Sequence, residues 1–239
     1  MSSSGDTAAT FCATLVDELA RQGIRHAVVA PGSRSTPLAL ALALNNDIEV
    51  HVFHDERSAS FAALGIGSAS GVPAVLLCSS GTAGTHFHGA VVEAHQSDVP
   101  MIVCTADRPP ELRDVAAAQT IDQTHLFGSA VRWFHDPGVP SRDAAMSWRS
   151  LASRAVQAAV GIHPGPVHLN LPFREPLTGD VSVATVLRQL VGDVEQAREV
   201  VADGQVAGLA GHLRQLVERL AQALAQQRDV DAGLGQQRP

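Results

Sequence analysis

The sequence lacks the features of a membrane or nucleic-acid-binding protein. None of its apolar runs approaches the roughly 18 residues that cross a bilayer as a helix, and all 17 of its basic residues are arginine. These and the 24 acidic residues are spread along 239 residues, with a formal net charge of −7 and no basic block. We therefore expect no membrane and no nucleic acid as partner. The start of the chain has no signal-peptide pattern, which predicts a cytoplasmic location.

Cysteine and recognised metal or nucleophile motifs are also scarce. The three cysteines cannot pair completely, and Cys78 and Cys104 lie in apolar runs where a thiol packs as a small hydrophobe. The usual zinc spacings are missing, and His86 and His88 are two residues apart on a predicted helix, so they do not share a face. The serine-hydrolase motif G-x-S-x-G does not occur. The sequence predicts no disulfide and no metal site.

Strand-like and helix-like segments alternate from the first helix onward. With 45% apolar and 17% charged residues, the chain is rich enough in apolar side chains to bury a core. Continuous apolar runs predict strands over 26–30, 48–53, 74–78, 101–105, 131–134 and 165–171. Helices are predicted over 7–21, from Ser35/Thr36 onward, and over 55–67, 84–95 and 142–160. This order predicts an α/β fold, a doubly wound, mostly parallel sheet with helices on both faces.

The alternation of strand-like and helix-like segments stops near residue 178. Residues 1–178 are predicted to form the α/β domain, with a long polar loop over 107–122. Leucines and a valine then recur at helical spacing in a predicted helical extension over 179–225. Residues 226–239 are a polar tail that we expect to be disordered.

Four polar loops follow predicted strands and are expected at the carboxyl edge of the sheet, where ligands of such folds collect. They span residues 31–35, 54–57, 79–84 and 105–109. Glycine turns that lead into helices expose backbone N–H groups to anions, and Arg34 and Arg108 add guanidinium groups that can hold a carboxylate. The alternative is that these glycines and serines are only turn and cap residues.

Two further motifs have a structural alternative. Glu56 begins a predicted helix, where an acidic residue is commonly only a partner of the helix dipole. The glycine-rich stretch over 65–71 follows a helix and precedes a strand, the reverse of a dinucleotide-binding turn, so it is interpreted as a helix terminus.

Six segments together resemble one enzyme family. They are VAPGSRSTPLALAL (29–42), HDERSASFAALGIGSASG (54–71), CSSGTAGTHFHGAVVEA (78–94), TADRPPELRD (105–114), QTIDQ (119–123) and GPVHLNLPFREPL (165–177). They are similar to the N-terminal, pyrimidine-binding domain of 2-succinyl-5-enolpyruvyl-6-hydroxy-3-cyclohexene-1-carboxylate synthase, a thiamine-diphosphate enzyme of menaquinone biosynthesis. We refer to it as the carboxylate synthase family. The resemblance covers about residues 7–178.

The resemblance implies a reaction and a set of site residues. The family decarboxylates 2-oxoglutarate on the cofactor and adds the succinyl unit to isochorismate. Glu56 matches the catalytic glutamate that hydrogen-bonds the aminopyrimidine ring of the cofactor, and Pro31 and Thr82 lie in matching cofactor-binding segments. The substrate side matches four further residues, namely Ser33, Arg34, Arg108 and Gln119.

The resemblance also implies parts that this sequence does not contain. The family holds Mg²⁺, or Mn²⁺, and the diphosphate on a C-terminal pyrophosphate domain that is absent here. The chain is thus expected to be half of an active site, either truncated, split or decayed, and inactive without the missing pyrophosphate domain. Its expected partners are further copies in a homo-oligomer or a complementary pyrophosphate-domain chain. Two alternatives remain open: a split subunit of another thiamine-diphosphate-dependent oxo-acid decarboxylase, and a non-catalytic binding or oligomerisation remnant.

Overall fold

Six parallel strands form one sheet in the computed structural model, which describes residues 3–179. The strands are β1 (His26–Val29), β2 (Glu49–Val52), β3 (Ala74–Cys78), β4 (Met101–Asp107), β5 (Trp133–His135) and β6 (Pro166–Pro172). The α-helices are α1 (Ser4–Arg21), α2 (Thr36–Ala43), α3 (Glu56–Ser70), α4 (His88–Gln96) and α5 (Trp148–Ala159). The predicted α/β class and the parallel sheet are confirmed.

The strand order β2-β1-β3-β4-β6-β5 fixes where loops gather. From β1 the chain moves outward to β2, and β3 then pairs with the other side of β1. The direction of winding therefore reverses between β1 and β3, and such a reversal opens a crevice at the carboxyl ends of the two strands.

Alternate residues of the strands feed two apolar cores, one on each face of the sheet. The larger core packs α1, α2 and α5 against one face and contains Phe11 and Trp148, whose rings meet edge to face with centroids 5.5 Å apart. The smaller core packs α3 and α4 against the other face around Phe87 and Phe127. The three cysteines are free and buried, as expected for thiols that serve as small hydrophobes.

Helix ends follow ordinary capping chemistry. Ser3 and Asp6 form a reciprocal capping box at the start of α1. Asp55 caps α3 by accepting a hydrogen bond from the Ser58 amide at 2.7 Å, and Gly71, with φ of 70°, ends that helix in the left-handed conformation.

Two predicted helices begin later than expected. The helix predicted over 84–95 is a 3₁₀ segment as far as Phe87 and becomes α-helical only at His88. The helix predicted over 142–160 likewise opens with a 3₁₀ segment, Arg142–Ser147. Both segments contain residues that favour either helix type, so apolar spacing did not distinguish them. The last predicted strands, over 131–134 and 165–171, are observed one or two residues further along.

Two further predictions concern membrane-spanning helices and the C-terminal part of the chain. No helix among residues 3–179 is long and apolar enough to cross a membrane. The predicted helical extension and polar tail fall beyond residue 179, outside the part of the chain that the structure describes.

Candidate functional site

The loops after β1 and β3 meet at the carboxyl edge of the sheet with almost no space between their backbones. A Cβ atom on Gly32 would overlap the side chain of Ser79, so only glycine permits this approach. Gly81 has φ of 79°, and a Cβ there would lie 3.0 Å from Gln119 atoms. The glycines of these loops are therefore more than turn residues: they allow three loops to converge beside the β1/β3 crevice.

Gln119 fastens the long loop to the turn after β3. The side-chain amide nitrogen of Gln119 donates to the backbone carbonyl of Ser80 at 3.2 Å and lies 3.4 Å from the Ser79 hydroxyl. In the other direction, the Ser80 hydroxyl donates to the backbone carbonyl of Gln119 at 3.0 Å. Gln119 itself is exposed and has φ of 55°, an unusual conformation for a residue other than glycine. Backbone strain of this kind persists only where surrounding contacts hold it.

Arg34 and Arg108 lie at this edge and approach the same carboxylate. Arg34 is only 4% exposed; it donates to the Phe173 carbonyl at 3.0 Å and to Oε1 of Glu175 at 2.7 Å. The Arg108 guanidinium lies 3.9 Å from the same oxygen, and its Nε is buried without a hydrogen-bond partner among the described residues. Glu175 is 69% exposed. The two predicted arginines are thus brought together, and their shared partner is an internal carboxylate that the sequence did not single out.

Glu56 is the first residue of α3, directly after the loop that follows β2, and it is half-buried. The Glu56 carboxylate affects the thiol of Cys78, the last residue of β3. Burial is the larger cause and the nearby charge of Glu56 the second, and both raise the pKa of this thiol well above its usual range. Helix α3 packs against β1 and β3. The carboxyl group of Glu56 is therefore held on the β1/β3 side of the sheet edge.

The remaining predicted residues occupy the same loops. Ser33 opens the 3₁₀ turn Ser33–Ser35 and is half-buried, as is Pro31 just after β1. Thr82 is exposed at the turn after β3, and its carbonyl accepts a hydrogen bond from the Thr85 hydroxyl at 2.6 Å. None of these three residues is fully buried.

A network of buried polar side chains underlies these loops. Asn170 on β6 is its centre: its carbonyl oxygen accepts from Thr105 and Gln123, each at 2.9 Å, and its amide nitrogen donates to Asp107 at 2.8 Å and Asp136 at 3.0 Å. We call the following set the polar network: Thr105, Asp107, Arg113, Gln123, Asp136, His168 and Asn170.

The charged members of the polar network contact one another. The Arg113 guanidinium lies 2.8 Å from Asp107 and 3.2 Å from Asp136. Burial raises the pKa of Asp107, against the Asn170 hydrogen bond and the Arg113 charge, which lower it. His168 is packed against Phe127 and Phe134, and burial lowers its pKa to about 3, so the ring is neutral.

Gln123 links the polar network to the loop after β3. Its carbonyl oxygen accepts from the Gly81 amide at 2.8 Å, and its amide nitrogen donates to the Ala106 carbonyl at 3.1 Å. The sequence alone predicts no role for Gln123, although it belongs to the QTIDQ segment. A signal was present in β6 too: His168 and Asn170 are polar residues two apart in a strand that is otherwise apolar, which indicates a polar pair on one buried face.

Comparison with known proteins agrees with this geometry. Residues 9–126 match the family described as thiamine pyrophosphate enzyme, N-terminal TPP binding domain; thiamine pyrophosphate is another name for thiamine diphosphate. Among curated proteins, the 2-succinyl-5-enolpyruvyl-6-hydroxy-3-cyclohexene-1-carboxylate synthase of Thermobifida fusca is 62% identical over 165 residues, which are 68% of this chain and 30% of that protein.

The synthases of two other organisms are similar over comparable or longer stretches. That of Geobacillus kaustophilus is 48% identical over 197 residues, or 82% of this chain and 34% of that protein. That of Natronomonas pharaonis is 55% identical over 168 residues, or 69% of this chain and 28% of that protein. An alignment over 82% of the chain also extends beyond residue 179. The chain spans about a third of the length of these relatives.

The family match, the identities and the parallel sheet with its glycine-lined crevice lead to the same assignment. The described part of this chain is an N-terminal, thiamine-diphosphate-enzyme domain of the carboxylate synthase family.

Proposed function

We propose that this domain forms the pyrimidine-binding half of a thiamine-diphosphate site that decarboxylates 2-oxoglutarate and transfers the succinyl unit to isochorismate. The observation that carries the proposal is the approach of Arg34 and Arg108 to one carboxylate oxygen, in the same group of loops as Glu56. Both proposed substrates are anionic, and paired guanidinium groups are well suited to hold carboxylates.

The residues present suit the pyrimidine end of the cofactor. Glu56 offers a half-buried carboxyl group at the crevice, which can hold a ring by a hydrogen bond and exchange a proton with it. Pro31 and Thr82 would line the ring from the loops after β1 and β3. When bound, the cofactor supplies the carbon centre that stabilises negative charge as a 2-oxo acid loses carbon dioxide.

Arg34, Arg108, Ser33 and Gln119 would bind the substrates. The Nε of Arg108 is buried without a partner among the described residues, so a carboxylate that reached it would satisfy an otherwise unpaired donor. Because Glu175 already lies against Arg34, a substrate carboxylate would either displace the Glu175 side chain or bind beside it. The exposure of Glu175 makes displacement inexpensive, since a solvated carboxylate leaves without being stranded in the protein interior.

The remaining parts of the site are also proposals. A pyrophosphate domain, in a longer form of this chain, in a second copy of that longer form or in a complementary chain, would hold Mg²⁺ or Mn²⁺ and the diphosphate. The predicted cytoplasmic location and homo-oligomeric assembly remain predictions.

Reconstitution tests the proposal. The full chain would be combined with the central and pyrophosphate domains of a related carboxylate synthase, and product formation from 2-oxoglutarate and isochorismate would be followed with cofactor and Mg²⁺ present. We expect activity that Arg34→Ala and Arg108→Ala each reduce by roughly two orders of magnitude, while Arg142→Ala, an exposed cation in the described part of the chain, leaves it unchanged.

Two results would count against the proposal. A reconstituted site that turns over another 2-oxo acid but never uses isochorismate would favour the alternative of a different decarboxylase. A complex that assembles and binds cofactor but turns over no 2-oxo acid would favour a non-catalytic remnant.

A further inference from the structure

Three potential metal ligands lie together on the strands β1 and β2. They are His26, the first residue of β1, and Glu49 and His51 on β2. Nδ1 of His26 lies 3.2 Å from Nε2 of His51 and 3.6 Å from Oε2 of Glu49. All three ligand atoms lie within 4.8 Å of one another.

The parallel pairing of the strands holds the three side chains in place. His26 pairs with Glu49 and Val28 pairs with His51, and residues two apart in a strand point to the same face. All three side chains therefore project from one face of the ladder. Main-chain hydrogen bonds fix their backbones, so binding an ion here needs no loop to become ordered.

Two of the three separations match those required by a small tetrahedral ion. With Zn–N and Zn–O distances of about 2.0 to 2.2 Å, neighbouring tetrahedral ligand atoms lie about 3.3 to 3.6 Å apart. The two observed separations around His26 Nδ1, 3.2 and 3.6 Å, agree with this range within a few tenths of an ångström. The remaining separation, between His51 and Glu49, is within 4.8 Å, so an ion would draw these two side chains closer together.

We propose that His26, Glu49 and His51 bind a divalent transition-metal ion, with zinc as the representative ion. Two imidazoles and one carboxylate suit zinc, copper and nickel, whereas Mg²⁺ prefers oxygen ligands alone. Both histidines are half-buried and Glu49 is exposed, so a fourth position is left for water. The neighbouring cation, Arg25, donates to the carbonyls of Ala20 and Ile24 at 2.8 Å each, which directs its charge toward the end of α1.

The proposed ion lies away from the candidate catalytic loops. His26 begins β1, whereas Pro31 and Arg34 follow the end of that strand. Its role would be structural, because it joins β2, which forms one edge of the sheet, to its neighbour β1. An ion that binds only the folded form raises the free energy of unfolding in proportion to the logarithm of its concentration.

A simple hydrogen bond is the alternative explanation of the same geometry. One neutral imidazole can donate to the other at 3.2 Å, with the glutamate as a charge partner. The two explanations differ in their response to added zinc.

Zinc titration of the full, tag-free chain tests the proposal. By calorimetry we expect one high-affinity Zn²⁺ per chain with micromolar or tighter affinity, together with a rise in melting temperature. His26→Ala and His51→Ala should each weaken binding by roughly tenfold or more, and Glu49→Gln should weaken it less, because the imidazoles are the stronger ligands. Co²⁺ bound at the site should show the visible absorption of tetrahedral coordination.

The controls separate the site from incidental binding by other histidines. His163→Ala, an exposed histidine elsewhere in the described part of the chain, should bind zinc like the unmodified protein. Circular dichroism and metal-free melting show whether each variant folds; Glu49→Gln, at an exposed position, carries the test if a histidine variant does not. Absence of micromolar zinc binding, unchanged affinity in all three site variants, or equally strong binding of Mg²⁺ would overturn the proposal.

Discussion

Charged side chains lie in different environments in two regions of the molecule. One region is the α1/α5 side, and the other is the carboxyl edge of the sheet. On the first, apolar side chains are buried and ion pairs stay at the surface, as where Arg149 contacts Asp17 at 2.6 Å and Glu18 at 3.1 Å. At the carboxyl edge, Asp107 and Arg34 are themselves buried and are held by hydrogen bonds. Exposed pairs of the first kind contribute little to stability, whereas a buried group that loses its partner is costly.

This difference separates a region stabilised by apolar packing from one held by buried polar contacts. Burying polar groups in place of apolar ones brings no clear gain in stability, so an extensive buried network needs another reason. Gln123 connects the polar network to Gly81, which lies in the turn beside the crevice. We infer that it fixes the loops that carry the candidate site.

The largest effect is expected when the centre of the polar network is removed. Asn170→Ala should lower the free energy of unfolding by about 3 to 5 kcal/mol, because it leaves several buried donors and acceptors without partners. Urea denaturation of the full chain measures the change. Asn46→Ala, at an exposed turn, should change it by less than about 0.5 kcal/mol. Equal effects in both variants would contradict the importance of the network.

The buried arginine should contribute more than the exposed one. Arg34→Met keeps much of the side-chain volume but leaves the Phe173 carbonyl without its donor, so we expect a loss of about 2 to 3 kcal/mol. Arg149→Met removes two surface contacts and should shift the urea midpoint only slightly. A larger loss of stability for Arg149→Met than for Arg34→Met would contradict the greater contribution of the buried arginine.

His168 makes stability depend on pH in a defined direction. Burial holds the pKa of His168 down to about 3, whereas an unfolded histidine titrates near 6.5. Below about pH 6.5 the unfolded chain takes up a proton here that the folded protein does not, so stability falls until about pH 3.

The expected contribution of His168 is about 2 kcal/mol lost between pH 7 and pH 5. Urea denaturation at both pH values, compared with His168→Gln, isolates this contribution because the variant cannot take up the proton. If the two proteins lose the same stability between these pH values, His168 is not held neutral.

The sequence was sufficient for the apolar architecture but not for the polar contacts across it. Continuous apolar runs located the six strands within about two residues, since burial depends on local pattern. Helix signals located five helices, of which α4 and α5 begin four and six residues later than predicted. Arg34, Arg108 and Glu56 were found as candidates from their loops and from the resemblance. The approach of Arg34 and Arg108 to one carboxylate required the strand order, which local pattern does not encode.

Residues that act through distant partners were not found from the sequence. Glu175 lies 141 positions from Arg34, and the ligand cluster of His26 and His51 depends on the register between two strands. The 3₁₀ segments before α4 and α5 were also missed, because their sequences fit either helix type.

Hydrogen exchange on the cofactor would test the proposed catalytic role of Glu56. In the reconstituted complex, hydrogen–deuterium exchange at the reactive thiazolium carbon of thiamine diphosphate would be compared between the unmodified chain, Glu56→Gln and the control Glu93→Gln, an exposed glutamate on α4. We expect Glu56→Gln to slow exchange by roughly 10²- to 10⁴-fold with little change in melting temperature, because the amide keeps the shape but cannot exchange the proton. Glu93→Gln should exchange at the unmodified rate. Exchange in Glu56→Gln as fast as in the unmodified complex would contradict the catalytic assignment and leave Glu56 as a partner of the α3 dipole.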